Sequence, residues 1–253
     1  MIYDLQKASM WKRASAFLFD FIIFMVVAVG VATLLSSLLG YDTHYNTFQA
    51  GYDKYEKEYG VDLNITQSQY EAKTEAEKKL WDTAFAAFQK DPDVTYAWGM
   101  IVNLSFVIII FAALLAFIIL EFTVPNIFGN GQTLGKKIFG IGVMRTDGIK
   151  VVPALMFIRT VLGKFTIETM IPLFLVLMIL FMNIGIVGTV IIGLILLVQV
   201  ILLMTTQTNS MIHDVLAKTV VVDVASQMIF ENEEELIAYK EKVHAEKVAR
   251  QTY

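Results

Sequence analysis

The sequence of 253 residues contains no cysteine, and only 17% of its residues are charged. The absence of cysteine excludes disulfides, thiolate zinc sites, cysteine-ligated iron–sulfur clusters and cysteine nucleophiles. An excess of basic charge is also lacking, because 20 basic residues face 24 acidic ones and the formal net charge is −4. A nucleic-acid partner would need a basic face, so none is predicted.

Catalytic motifs are lacking as well. There is no HExxH helix of a metalloprotease and no GxSxG elbow of a serine hydrolase. The glycine-rich segment 131–137 does not fit a phosphate-binding loop, because Asn130 replaces the first glycine and Lys137 replaces the serine or threonine. The sequence therefore predicts no enzyme, no metal site and no cofactor.

Apolar residues are abundant: they make up 56% of the chain, at a mean hydropathy of +0.60. They form runs long enough to cross about 30 Å of hydrocarbon as helices. The first run is too long for a signal peptide and contains Asp20, so we expect it to remain as a helix. The pattern predicts an all-α polytopic membrane protein with four transmembrane helices, near residues 17–39, 98–120, 167–182 and 186–204.

Basic residues beside these runs predict the orientation. Lys7, Lys12 and Arg13 precede the first run, and the segment between the second and third runs carries six further lysines and arginines. Short loops rich in lysine and arginine stay in the cytoplasm. Both termini are therefore predicted to be cytosolic, and the polar insertion after the first helix is predicted to be extracytoplasmic.

Seven regions follow from these patterns. They are a cytosolic N-terminus with the first transmembrane helix (1–39), an extracytoplasmic helical insertion (40–97), the second helix (98–121), a cytosolic loop with interfacial helices and a β-hairpin (122–166), the third and fourth helices (167–205), a cytosolic His-Asp motif with a strand (206–226) and a cytosolic helical tail (227–253).

The soluble regions have patterns of their own. Apolar residues recur at helical spacing over 68–90, which predicts a helical pair that packs on itself, with a docking surface as the other interpretation. Alternating stretches on both sides of the Asp147 turn and over 219–224 predict a small cytosolic β element. Asn232 and Glu235 have the spacing of a helix cap, so the tail is predicted to be an exposed helix.

Three segments together resemble the RDD-domain family of bacterial membrane proteins. They are KRASAFLFD at 12–20, GQTLGKKIFGIGVM at 131–144 and HDVLAKTVVV at 213–222. The family is named for one arginine and two aspartates; Arg13 and Asp20 fit the first two, and Asp214 is preferred to Asp147 as the third. The resemblance implies a bacterial inner-membrane protein that transports ligands not yet securely defined.

The predicted charged site centres on the first helix. Arg13 and Asp20 share a face about 10 Å apart, but helical side chains lean toward the N-terminus, so Arg13 is expected to meet Asp214 rather than Asp20. The candidate partners of Asp20 are Arg159, Lys164, His213 and the Gly-Lys-Lys loop at 135–137. If a partner holds the carboxylate charged, it is structural; if water and a cation reach it, it is a proton or cation site.

Five further residues are candidates. Glu121 and Glu168 could join Asp20 around an inward-facing aqueous vestibule, or each could be hydrated at the interface and bind nothing. Gly135, Lys136 and Lys137 could hold a lipid phosphate through an exposed amide and two ammonium groups.

Two functions are carried forward. The first is transport of a small cation or proton-coupled solute, with Asp20 as the titrating site and Arg13 with Asp214 as a gate or brace. The alternative is a non-transporting adaptor that regulates another membrane protein through the insertion or the tail. The expected partners are the lipid bilayer, a second copy of the chain or another membrane protein, and a small cation or solute.

Overall fold

The computed structural model describes residues 5–180 and 184–251. Two π-helical segments interrupt the α-helices: the first π segment, Ile118–Thr123, joins α5 to α6, and the second π segment, Ile158–Met170, joins α8 to α9. The α-helices of the described residues are α1 Met10–Leu38, α2 Tyr41–Tyr59, α3 Gln67–Glu71, α4 Glu75–Lys90, α5 Pro92–Phe117, α6 Val124–Phe128, α7 Leu134–Ile138, α8 Pro153–Phe157, α9 Ile171–Leu180, α10 Gly185–Thr205, α11 Ile212–Leu216 and α12 Glu233–Gln251.

Four helical stretches of the described residues are long and apolar enough to cross a membrane. They are Met10–Leu38, Pro92–Phe128, Pro153–Leu180 and Gly185–Thr205. Most of their large apolar side chains are exposed in the isolated chain, as lipid-facing residues should be. The predicted all-α polytopic membrane fold is thus confirmed.

The third span begins earlier than the sequence predicted. Its helix starts at Pro153, after an extended Val152, rather than near residue 167, because proline at the first helical position needs no backbone hydrogen bond. The early start brings Arg159 and Lys164, which were predicted to lie in a loop, into the helix. The predicted end of this helix at Met182, and the break after it at residue 183, lie outside the described residues.

A two-stranded sheet joins two segments that are far apart in the sequence. Strand β1, Ile141–Arg145, pairs antiparallel with β2, Thr219–Asp223, and Val143 and Val220 are fully buried within it. The predicted stretch over 219–224 is therefore present as β2, but the stretch after the Asp147 turn does not form a strand, since Lys150 makes only an isolated bridge to Met144 of β1. The β element of the described residues therefore has two strands.

The chain divides into two compact units, residues 28–113 and the remaining residues. Within the first of these, α2 packs on α4 and encloses a small core of Leu63, Ala84 and Phe88. The predicted helical pair is present, but the helical pattern over 68–90 is interrupted at Thr74, whose side chain caps α4. The insertion thus has an apolar core of its own.

The tail helix α12 belongs to the other unit. As predicted, Asn232 caps it, because the Asn232 Oδ1 accepts a hydrogen bond of 2.9 Å from the backbone N of Glu235. Its first turn is anchored rather than free: Leu236 is buried in a cluster with Ile149 and Phe230. The rest of the helix is mostly exposed.

Candidate functional site

Asp214 is the centre of a buried group of charged side chains. It lies on the short helix α11, and its side chain is only 1% exposed. One carboxylate oxygen, Oδ1, accepts a hydrogen bond from Arg159, and Oδ2 accepts one of 3.3 Å from the backbone N of Met211. The local chain therefore directs both oxygens inward, where they need positive partners.

Two arginines supply that charge. Arg159, in the second π segment, is 4% exposed and also donates to the Oγ1 of Thr219 at 2.7 Å. Arg13, near the start of α1, lies 3.5 Å from the Oδ2 of Asp214 and donates to the carbonyl of Asn209 at 2.7 Å. The predicted contact between Arg13 and Asp214 is confirmed. Arg159 was predicted as a partner of Asp20, and it binds Asp214 instead.

The electrostatics of Asp214 follow from these neighbours. Burial alone would raise the pKa of the carboxyl group, but the positive charges of Arg159 and Arg13 outweigh burial and hold the pKa well below its ordinary value. By contrast, Asp147, the competing family aspartate, lies on an exposed turn and pairs with Arg145 at 2.5 Å. Asp214 is therefore the aspartate that meets Arg13.

His213, which was predicted as a candidate partner of Asp20, contacts Glu168 and Asp214 instead. Its backbone N and its ring Nδ1 both lie 2.8 Å from carboxylate oxygens of Glu168, and its Nε2 lies 3.6 Å from Asp214. Burial, followed by the nearby charge of Arg159, lowers the pKa of His213. The close approach uses Gly163, where an added Cβ would lie 2.7 Å from the Cβ of His213. The five residues Arg13, Arg159, Glu168, His213 and Asp214 are hereafter the charge cluster.

Asp20 lies apart from these arginines. Its Oδ2 accepts a hydrogen bond of 2.5 Å from the Thr133 hydroxyl, and its Oδ1 accepts one of 2.7 Å from the backbone N of Gly135. The predicted 135–137 loop thus contributes only the backbone amide of Gly135 and no lysine, and the second partner, the hydroxyl of Thr133, lies outside the predicted loop. The sequence contained one signal for this, since threonine is a preferred residue just before a helix, and Thr133 caps α7. Asp20, Thr133 and Gly135 are hereafter the Asp20 site.

Glu121 belongs neither to the charge cluster nor to the Asp20 site. It lies in the first π segment, is buried, and forms an ion pair with Lys164 of the second π segment. It is therefore not hydrated at an interface, which had been one interpretation. Asp20, Glu121 and Glu168 each bond to a different partner and do not converge on one ligand, contrary to the predicted vestibule. In the described part of the chain, no group of three or more histidines and acidic residues could hold a metal ion.

The predicted lipid-phosphate residues also separate. The Gly135 amide donates to Asp20, so it is not available to a phosphate. The Lys137 Nζ lies 3.8 Å from the centre of the Phe128 ring. Lys136 is half-buried; burial lowers its pKa to about 8, although the charge of Glu121 opposes that change. Gly135, Lys137 and Lys136 therefore interact with three different neighbours, which are Asp20, Phe128 and Glu121, and do not form one phosphate site.

Comparison with known proteins supports one assignment. The model of the RDD family matches residues 7–218. This range contains the charge cluster, the Asp20 site and Glu121, whereas β2 and α12 lie beyond its end. No curated protein and no solved structure matched the chain.

Proposed function

This chain belongs to the RDD family of membrane proteins, and from that premise we propose that it moves a small cation or a proton-coupled solute across the membrane. Asp20 is the residue that takes up and releases the proton. The proposed setting is the bacterial inner membrane, with both termini in the cytosol. Four spans are few for a complete alternating-access transporter, so the proposal includes assembly of several copies.

One observation carries the proposal: both hydrogen-bond donors to Asp20 are electrically neutral. A carboxylate inside a span costs roughly 2.5 to 3.5 kcal/mol, and a salt bridge to a fixed cation would hold it in the charged state. A hydroxyl can donate or accept. When Asp20 is protonated, its O–H can donate to the Thr133 oxygen while Gly135 still donates to Oδ1. The same site therefore accommodates both protonation states.

The charge cluster is the fixed part of this proposal. Asp214 contacts two guanidinium groups that come from α1 and from the second π segment, and both contacts are buried or half-buried. Separating such a pair leaves a buried charge without compensation. The cluster therefore acts as a brace that fixes the start of α1 beside the third span, rather than as a gate.

The same two hydrogen bonds also permit the adaptor alternative. Both oxygens of Asp20 already accept hydrogen bonds from this chain, which is what a purely structural acid would do. In that case the protein binds and regulates another membrane protein. Purification in a mild detergent tests this, because a stoichiometric foreign partner supports the adaptor and a complex of identical chains supports the transporter.

Flux measurements in proteoliposomes test transport directly. Vesicles with an internal pH dye are given an outward proton gradient and then NaCl, KCl or LiCl. We expect cation-dependent dye recovery that falls at least about tenfold in Asp20→Asn. Asparagine has nearly the same size and can keep both contacts, with its oxygen accepting from Gly135 and its amide donating to the Thr133 oxygen, but it takes up no proton at neutral pH. Asp53→Asn, on the exposed surface of α2, is the matched control and should keep full flux. Equal flux in Asp20→Asn and the wild type would refute the proposal.

A further inference from the structure

Lys136 lies beside the residues that hold Asp20. It follows Gly135, whose backbone N donates to the Asp20 carboxylate, and its own backbone N donates to the Thr133 hydroxyl oxygen at 3.3 Å. The same hydroxyl donates to the Oδ2 of Asp20. The first turn of α7 therefore fixes the backbone of Lys136 next to the Asp20 site, while its long side chain is left to interact with other groups.

Charged side chains of both signs act on the Lys136 ammonium group. The two acids and two bases are Glu121, Asp20, Arg159 and Lys164. Arg145, the charged residue of the strand β1 that packs on α7, pairs with Asp147 instead. Burial is the largest influence and lowers the pKa of Lys136 to about 8. A lysine with this pKa exchanges its proton readily near neutral pH.

The Lys136 ammonium group has no fixed partner. Among the residues that the structure describes, none forms a hydrogen bond or an ion pair with its Nζ, whereas Lys164 holds Glu121 and Thr133 holds Asp20. The side chain is half-buried, and no fully buried side-chain nitrogen of the described residues lacks a partner, so the unpaired Nζ reaches the solvent-accessible surface. Lys136 is thus free to exchange a proton with water and is not a fixed counter-ion of Asp20.

We propose that Lys136 carries protons between cytosolic water and Asp20. An N–H bond of the ammonium group breaks as the O–H bond of Asp20 forms, the nitrogen keeps the electron pair, and the neutral amine then takes a proton from water. An ionised Asp20 favours the ammonium form, so it loads the lysine with the proton that it then receives. The inference rests on the proposed function, because it assigns the group that supplies the proton to the same site.

Competitive acetylation of the full-length protein in detergent tests whether the two groups are coupled. Only the neutral amine reacts with acetic anhydride, so the pH at which Lys136 reacts half-maximally, measured by mass spectrometry, reports its proton affinity. We expect this pH to fall by about one unit in Asp20→Asn, because the carboxylate that favours the ammonium form is gone. Lys137, the exposed neighbour on α7, is the control and should react alike in both proteins.

Flux in the proteoliposomes tests the transfer itself. Arginine keeps the positive charge but releases no proton near neutral pH, so Lys136→Arg should lower the flux at least about tenfold, whereas it would preserve a merely structural charge. Lys136→His should keep flux, with the pH profile moved toward acid by about one unit, because histidine ordinarily titrates near pH 6.5. Lys137→Arg is the matched control and should keep full flux.

The two measurements separate this inference from the proposed function. An acetylation shift in Asp20→Asn, together with no flux in the wild type, would refute transport but support proton exchange between Lys136 and Asp20. If Asp20→Asn does not elute like the wild type in size-exclusion chromatography, Asp20→Ser takes its place. An unchanged acetylation profile of Lys136 without the Asp20 carboxylate, or full flux with an unchanged pH profile in Lys136→Arg, would overturn the role of Lys136.

Discussion

At the residue scale, the buried charged side chains that the structure describes have hydrogen-bond partners. Among the described residues, no buried side-chain nitrogen or oxygen lacks a hydrogen-bond partner. Asp214 is the clearest case, since it contacts Arg159 and Arg13 and is almost fully enclosed. A buried ion pair adds little net stability compared with apolar residues, but loss of one member leaves a charge that the interior cannot solvate.

Replacement of Arg159 by methionine should therefore be strongly destabilising. We expect Arg159→Met to lower the free energy of unfolding by about 3 to 5 kcal/mol, because Asp214 stays buried with only the more distant Arg13. The matched control is Arg145→Met, which removes exposed ion pairs to Asp147 and Glu233 and should cost about 0 to 1 kcal/mol. Unfolding in a denaturing-detergent titration measures both, and equal losses would contradict the role of the cluster as a brace.

His213 predicts a dependence on pH. Burial and Arg159 lower its pKa below the ordinary value of 6.5, although Glu168 and Asp214 act in the opposite direction. A histidine with a depressed pKa binds fewer protons in the folded state, so its contribution to stability is complete above pH 6.5 and is lost as the pH falls through the folded pKa. Between pH 7.5 and pH 5, we expect His213→Gln to lose less stability than the wild type, by on the order of 1 kcal/mol.

The same unfolding titration at the two pH values provides the measurement. His44→Gln, in the other compact unit, is the control and should retain the wild-type dependence on pH. A His213→Gln protein with an unchanged pH dependence would show that another group is responsible.

At the scale of the elements, the charged residues of the third span coincide with π-helical geometry. Arg159, Lys164 and Glu168 all lie in the second π segment, and Glu121 lies in the first. Thr166 and Thr169 each donate to the carbonyl five residues earlier, as the wider turn allows. Hydropathy predicted the apolar part of this span but missed its charged first turns, because a hydropathy pattern contains no information on which charges will be paired.

Helix α7 is positioned by a close approach to α1. An alanine at Gly135 would press its Cβ against the backbone oxygen of Ala16 and would lie 3.0 Å from the Asp20 carboxylate. We expect Gly135→Ala to lower the free energy of unfolding by about 1 to 3 kcal/mol, because neither helix backbone can move away without breaking the Asp20 hydrogen bonds.

The control for this substitution is Gly99→Ala. Gly99 lies within α5, and an added Cβ there would meet nothing within 4 Å. Because alanine favours a helix over glycine, this control should be neutral or more stable by about 0.5 to 1 kcal/mol. The detergent titration compares the two, and a neutral Gly135→Ala would contradict the tight contact.

At the scale of the whole molecule, we predict that the four long apolar helices of the described residues all cross the membrane, which would place the two ends of the chain on one side. The basic residues near the spans predict that this side is the cytosol. The absence of cysteine makes the prediction easy to test, because each introduced thiol is the only one in the protein. Ser68, in the insertion, and Ser226, after β2, are both exposed and suitable for replacement.

Labelling with a membrane-impermeant maleimide measures the orientation. In intact cells we expect Ser68→Cys to react and Ser226→Cys to remain unlabelled, with both reacting after the cells are permeabilised. The permeabilised sample is the control for accessibility. Labelling of Ser226→Cys in intact cells would reverse the predicted orientation.

The sequence by itself determined the membrane class, the number of apolar helices and the resemblance to a family, because these depend on local composition and on short motifs read along the chain. It also predicted that Arg13 would meet Asp214, since the lean of helical side chains excluded the nearer Asp20. Only the tertiary structure decided that Thr133 and Gly135 hold Asp20 and that Arg159 belongs to Asp214. Those partners lie 113, 115 and 55 residues apart in sequence, and hydrogen bonding depends on distance in space, which the order of the chain does not specify.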